Sequence, residues 1–468
     1  MNSKRMTLGE CISLCIDHRG KTPKKLGSDW SSTGYRALSA KNVKTGKIVQ
    51  EDTIRFVDEN LYRKWMPDEI RRGDILVTSE APFGQIFLWD TDEKIVLSQR
   101  LFGIRPNPVI CNPGYLYYWM IGHQFQEEMR GRATGTTVIG LRQPELLKCS
   151  VQLPSLDKQA AISACLRTID EKIDINARLN DYLAEMLDAR YGRLIAESNE
   201  SALLVDIVRI LSGGTPKTKN SEYWEDGRIP FFAPGDVTNS VYTLVTEKHI
   251  TELGLDNCNS ALYPVDTVFL TARGTVGKVA MAGRPMAMNQ SCFAFAGINA
   301  PQTVVFQVIK GAVRSLKAKA NGATFAAINT RDLKDEEVPV LSTENMAIYD
   351  EWAKPLHAMI RSNEEESLRL AELRDALLPK LMSGEIDVSK VDLTPLNNHL
   401  YESKTGGCRG HPLFRRCKLH GPLWSFGWIY HLSNTGEQLI AHRGSNQIIR
   451  FAPDRSSRDL LYRIQGHS

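Results

Sequence analysis

The sequence predicts an α+β protein in which two pseudo-repeated domains are separated by two long helices that pack on each other as a coiled coil. Three observations predict this. Sliding the chain on itself by 187 positions aligns Gly135–Leu194 with Gly322–Leu381 without a gap, pairing Thr137 with Thr324, Leu146 with Leu333 and Asn176 with Asn363. Upstream the offset drifts to 191–194, yet ordered matches persist: "GKTPKK" (20–25) with "GGTPKT" (213–218), "GDILVTSEAPFGQI" (73–86) with "VDTVFLTARGTVGKV" (265–279), and "LSQRLFGI" (97–104) with "MNQSCFAF" (288–295). Within each gapless block, apolar residues step alternately by four and three, the spacing of a coiled-coil seam. A duplication whose loops have changed length accounts for all three.

Residues 1–154 mix β-rich runs such as "GDILVTS" with turn-forming Gly, Pro, Asn and Asp, and make the first compact domain. Residues 155–198 follow as a helix, opened by Ser155 after Pro154 and closing near Gly192. Its seam is Ile162, Leu166, Ile169, Ile173, Asn176, Asn180, Leu183 and Leu187. Residues 199–341 repeat the domain, with "DTVFLTA" as a strand and "TVVFQVIKGAVRSLKAKA" as a helix. Residues 342–384 repeat the long helix, with the seam Leu356, Ile360, Asn363, Ser367, Leu370, Arg374, Leu377 and Leu381. Pro355 stands where the first helix has Thr168, and an interior proline removes a hydrogen bond, so this helix is expected to restart there with a shorter seam. Matched asparagines favour packing of the two helices on each other, because a buried seam Asn costs stability but fixes register. A helix of about 37 residues spans on the order of 55 Å, against ~34 Å for a turn of DNA.

Residues 385–468 have no repeat partner and are expected to form an atypical, weakly ordered tail. Within it "CRGHPLFRRCKLH" spells Cys408, His411, Cys417 and His420; five residues between the pairs make a tight loop, and no metal site is assigned.

Composition narrows the function. No apolar run approaches the ~20 residues that span a bilayer, and "MNSKRMTLGE" lacks the apolar core of a secretory signal, so a cytoplasmic location is expected. Nine cysteines, without paired spacing in the first 395 residues, read as reduced thiols rather than a disulfide framework. The net charge of +4 is uneven: residues 396–468 hold 10 Lys+Arg against 4 Asp+Glu, which leaves 48 against 50 in the first 395. Nucleic-acid binding by the body of the protein therefore requires local patches.

The order and duplication of "GKTP" and "GGTP", of "GDILVTS" and "TARGTVGKVA", of "GTTVIGLRQPELLKCSVQLPSLDKQAAISACLRTIDEKIDINARLN", and the ending "ALLPKLMSGEID" resemble the specificity subunit of Type I restriction-modification systems over about residues 6–390. The resemblance implies that each variable domain is a target-recognition domain reading one half of a split, asymmetric DNA sequence. It implies an antiparallel coiled coil that spaces the domains and docks two methyltransferase subunits, with restriction/translocase subunits joining the assembly. The chain would be non-catalytic and bind no cofactor itself, its partners using S-adenosylmethionine, ATP and magnesium. In agreement, the sequence has no NPPY or DPPY tetrapeptide, no GxxxxGK[ST] loop, no HExxH and no duplicated CxxC. A stand-alone DNA-binding protein and a coiled-coil scaffold that binds only protein are the alternatives.

DNA contacts are sought among polar side chains on loops, where phosphate contacts position the protein and base-edge contacts specify. The first domain offers Lys21, Lys24 and Lys25 in "RGKTPKK", and Arg36, Lys41, Asn42 and Lys44 in "YRALSAKNVKTGK". The second offers Lys217 and Lys219 in "GGTPKTKN", Asn239 in "FFAPGDVTN", and Arg273 and Lys278 in "ARGTVGK", with Arg273 the leading candidate for a guanine or phosphate contact. Gly84 and Gly277 are matched, and are expected to serve a positive backbone angle rather than contact.

Overall fold

The computed structural model describes residues 3–135, 138–319 and 327–391, together with the backbone of four C-terminal strands. The chain divides into two compact units, Met1–Glu171 with Leu370–Asn398, and Lys172–Arg369 with His399–Ser468.

In the first unit the central antiparallel sheet has the order Ile12–Asp17, Leu101–Pro106, Ile75–Thr78, Ile86–Leu88. Ile75–Thr78 is buried along its whole length, which is why it reads as an unbroken apolar run rather than an alternation. A second sheet pairs Tyr35–Leu38 antiparallel to Arg55–Val57 and parallel to Ile95–Leu97. The helix Pro113–Ile121 starts with proline in its first turn, and the Asn112 side chain caps it by accepting from the Tyr115 N–H at 3.0 Å.

The second unit repeats this plan. Val208–Ser212, Cys292–Gly297, Val268–Thr271 and Val279–Ala282 stand in the same order, and Tyr242–Thr243 adds an edge strand. Ile229–Phe232 pairs antiparallel to Lys248–Ile250 and parallel to Ala287–Met288. The helix Gln302–Lys319 lies where the sequence predicts one. The duplication thus extends to the parallel or antiparallel sense of individual strand pairs.

Two helices of 41 residues, α1 (Leu156–Ala196) and α2 (Thr343–Ser383), each contribute to both units. In the first unit Ile162, Leu166, Leu378 and Leu381 enter one core. In the second, Leu183, Leu187, Tyr191, Tyr349, Leu356 and Ile360 enter another. There Asn176 reaches Asn363, Asn180 reaches Ile360 and Tyr349 reaches Leu187, so partner numbers fall along α2 as they rise along α1 and the pair is antiparallel. Ile169 and Leu370 are buried on the predicted seam, and Ile173 and Leu377 are partly buried.

Two expectations are corrected here. Gly192 does not close α1, which continues to Ala196. Pro355 does not restart α2, which passes through it unbroken. The proline lacks the N–H that would bond the Glu351 carbonyl, but Glu351 is exposed to solvent, while Ala353, Leu356, His357 and Ile360 around it are buried. Packing of that face outweighs the missing bond.

Beyond α2, Ile386, Val388 and Val391 pack on the core of the first unit. In the segment expected to be a weakly ordered tail, Trp428–Leu432, Gln438–His442, Ile448–Pro453 and Leu460–Gln465 pair in sequence order as an antiparallel meander. Cys408, His411, Cys417 and His420 lie outside the described residues.

Candidate nucleic-acid interface

The loop that leaves Ile75–Thr78 is closed by three bonds. The N–H of Gly84 donates to Thr78 O at 3.1 Å, that of Thr78 to Gln85 O at 2.9 Å, and that of Gln85 to Thr78 Oγ1 at 2.8 Å. In the second unit Gly277, Thr271 and Lys278 make the same bonds at 2.8, 3.0 and 3.0 Å. Gly84 and Gly277 have φ of 72° and 77°, the left-handed angle expected of them.

Each loop is then tied to two neighbours in the same way. Ser79 N–H donates to Arg100 O (2.9 Å) and Ser79 O accepts from Leu141 N–H (3.0 Å). In the second unit Ala272 N–H donates to Ser291 O (2.8 Å) and Ala272 O accepts from Ile328 N–H (2.9 Å). A short turn completes each rim: Asn42 Oδ1 accepts from Ser39 N–H in one, and Asp236 Oδ2 from Ala233 N–H in the other. The wiring is repeated while the side chains on it differ.

The second rim gathers its predicted residues. Thr275 Oγ1 donates to Pro234 O at 2.9 Å, and Lys278 Nζ donates to Asn239 Oδ1 at 3.4 Å, which joins the 234–239 and 273–278 loops. Gly214 N–H donates to Met288 O and Thr215 bonds Gln290, bringing in the segment that leads to the exposed Lys217 and Lys219. Arg273 is exposed, and among the described residues its guanidinium has no ion-pair partner. An uncompensated cation on such a loop suits phosphate or guanine.

The first rim gathers fewer. Lys44 adjoins the 79–85 loop, because Thr45 N–H donates to Gln85 Oε1 at 3.0 Å. Lys24, Lys41 and Lys44 are exposed. Lys25 donates to Gly20 O at 2.8 Å. Lys21 donates to Trp65 O at 2.8 Å, and burial holds its pKa below the ordinary lysine value. Arg36 is clamped bidentately by Glu93 at 2.7 Å and approached by Glu51 at 3.4 Å. Asn42 is corrected: it is 1% exposed, and its amide donates to Val49 O, Gln50 O and Thr53 Oγ1, so it is a structural cap and not a base contact.

Arg100 was missed. It pairs with Glu80 across the first rim at 3.1 Å. The signal available was the alignment of "LSQR" with "MNQS", where Arg100 faces Ser291.

The middle of the helix pair carries a polar cluster within the second unit. Asn176 Nδ2 donates to Glu366 Oε2 at 2.8 Å and to Ser367 Oγ at 3.2 Å. Asn363 Nδ2 donates to Asn180 Oδ1 at 2.8 Å, and Lys172 pairs with Glu366 at 3.1 Å. In the first unit Asp170 accepts from both Tyr118 OH (2.6 Å) and Arg374 Nη1 (2.8 Å). These groups serve register and local packing, and among the described residues no group of three or more His, Cys, Asp and Glu could hold a metal.

A family model described as the Type I restriction modification DNA specificity domain matches residues 2–185 and 197–367. The Type I restriction enzyme HindI specificity subunit of Haemophilus influenzae is 22% identical over 441 aligned positions, covering 74% of this chain and 94% of that protein. The MjaIX specificity subunit of Methanocaldococcus jannaschii is 34% identical over 147 residues, 30% of this chain and 33% of its own length. Among solved structures, that of a Type I restriction-modification S subunit from M. genitalium matches in fold with a TM-score of 0.53 at 16% identity, over 81% of this chain and 96% of that one.

Proposed function

The chain belongs to the Type I restriction-modification DNA specificity family, and on that premise we propose how it divides the work of recognition. It is the DNA-recognition subunit of a multisubunit assembly and is not itself catalytic. Each domain reads one half of a split, asymmetric target. The observation that carries this reading is the repeated wiring of the two rims under different side chains: one backbone frame presents Glu80 in the first domain and Arg273 at the matching loop position in the second.

In the second domain Arg273, Lys278, Asn239, Lys217 and Lys219 contact DNA; in the first, Lys24, Lys41 and Lys44 do so, with Lys25 beside them. Lysines at such positions supply the salt-dependent phosphate term, and Arg273 supplies base discrimination. The helix pair docks two methyltransferase subunits and, through them, restriction/translocase subunits. Those partners bring S-adenosylmethionine, ATP and magnesium. The assembly works in the cytoplasm; no described helix is long and apolar enough to cross a membrane.

The test is to co-express the chain with the methyltransferase genes of its locus and map methylated bases across a host genome. A two-part motif is expected, and exchanging residues 1–154 for those of a relative should change one part only. Change in both parts, or in neither, would refute the division of labour.

A further inference from the structure

We propose that Arg100, aimed by Glu80, is a specificity-determining side chain of the first domain, and that the pair reads one G·C base pair in the DNA major groove. This rests on the reading of the chain as a DNA-recognition subunit.

The two rims place their guanidinium groups from opposite sides. Arg100 and Ser291 are equivalent, since each carbonyl accepts from the residue that opens the loop, Ser79 and Ala272 respectively. The next loop residue is Glu80 in the first domain and Arg273 in the second. Each pair of positions therefore holds one arginine, from the loop in the second domain and from the facing turn in the first. Only the first domain adds a carboxylate.

Three features separate Arg100 from an ordinary surface arginine. Its φ is +65°, in the left-handed region that disfavours any side chain, and such strain is held where the surroundings over-determine a position. The ion pair is half-open to water, with side-chain exposures of 48% for Arg100 and 36% for Glu80, and at that exposure it adds little to stability. What it does is orient. The closest approach is between Nε and Glu80 Oε1, and among the described residues the two terminal nitrogens donate no hydrogen bond, so the fork that matches guanine O6 and N7 is left open. The third feature is Gly140. A Cβ there would come within 3.2 Å of Glu80 Oε2, so the glycine leaves room for the carboxylate, whereas the second domain has Ala327 at the equivalent place.

The carboxylate also chooses between ligands. A neutralised pair attracts phosphate weakly, but its two halves complement a G·C pair, the guanidinium donating to guanine and the carboxylate accepting from cytosine N4.

The experiment uses the full chain co-expressed with its methyltransferase partners, with motif mapping and DNA-binding assays. Arg100→Gly removes the fork and relieves the backbone; Arg100→Lys keeps charge without the fork. Both should relax one position of the first half-target, with discrimination there falling about ten- to a hundredfold while the second half stays intact. Glu80→Gln should loosen the same position and raise affinity for non-target DNA. Retention of the full motif by both Arg100 variants would overturn the proposal, as would a uniform loss of affinity on all sequences, which marks a phosphate contact. If the unaltered chain yields no two-part motif, the reading beneath the proposal fails with it.

Discussion

Glu364 and His357 lie seven residues apart on α2 and tilt the stability of the second unit in opposite directions with pH. Burial raises the Glu364 carboxyl from 4.5 to about 7, against the opposing hydrogen bonds from the Ser240 hydroxyl and Tyr242 backbone. Burial lowers His357 from 6.5 to about 4, helped by Lys310 and opposed by Asp350 and Asp188. From pH 4.5 to 7 the folded chain keeps a proton on Glu364 that the unfolded chain has released, so this group removes stability as pH rises. From pH 6.5 down to 4 the unfolded chain binds a proton that buried His357 refuses, so that group removes stability as pH falls. The slopes cancel where the windows overlap. Thermal unfolding from pH 4.5 to 8.5 should therefore show Glu364→Gln gaining on the order of 1–3 kcal/mol at pH 8, a gain that shrinks towards pH 4.5. His357→Gln should flatten the acid limb and leave the alkaline limb unchanged. At this scale sequence was a partial guide. The left-handed Gly84 and Gly277 were legible because glycine chemistry is local. Arg36 was not, because the carboxylates that clamp it come from 15 and 57 residues along the chain. Nor was Asn42, whose short polar side chain suits a base edge and a turn cap equally well.

The helices were the most legible elements, since a seam stepping by four and three states its buried face directly. Their ends and interruptions were not, because tertiary burial overrode the local signals of Gly192 and Pro355. Pro355→Ala restores an N–H for the Glu351 carbonyl without touching the buried face. It should stabilise the chain by roughly 1–3 kcal/mol in urea titration, up to the interior cost of proline. The asparagine cluster should behave non-additively. Asn363→Leu alone strips Asn180 Oδ1 of its donor and should cost about 1–3 kcal/mol, the desolvation of a buried unpaired group. Replacing Asn176, Asn180 and Asn363 together by leucine removes the three amides at once and leaves Glu366 paired with Lys172, and should recover or exceed the original stability. Loss of a unique register would then show as heterogeneous sedimentation of the more stable protein.

For the whole molecule, the duplication was legible because both copies must satisfy one packing plan, whereas the rim side chains lie outside that plan and differ between the copies. The boundary of the first unit was less so: it takes Ile386, Val388 and Val391 from beyond α2, residues that the sequence reading gave to the tail. A chain ending after Val391 keeps these three side chains and is the reference for urea titration. One ending after Ser383 should lose roughly 2–4 kcal/mol, for three partly buried aliphatic side chains. Because Lys172–Arg369 separates the two segments of the first unit, order of synthesis and order of folding diverge. Lys172–Arg369, which holds the described core residues of the second unit, is continuous and can pack once it has left the ribosome. The first has Glu171 complete but waits for Leu370, roughly 200 residues and some 10–40 s later at about 5–20 residues per second. Throughout that interval the apolar patch that Leu378 and Leu381 will cover is open, so the first-made domain of the nascent chain is protected from aggregation only after Lys172–Arg369 has been made.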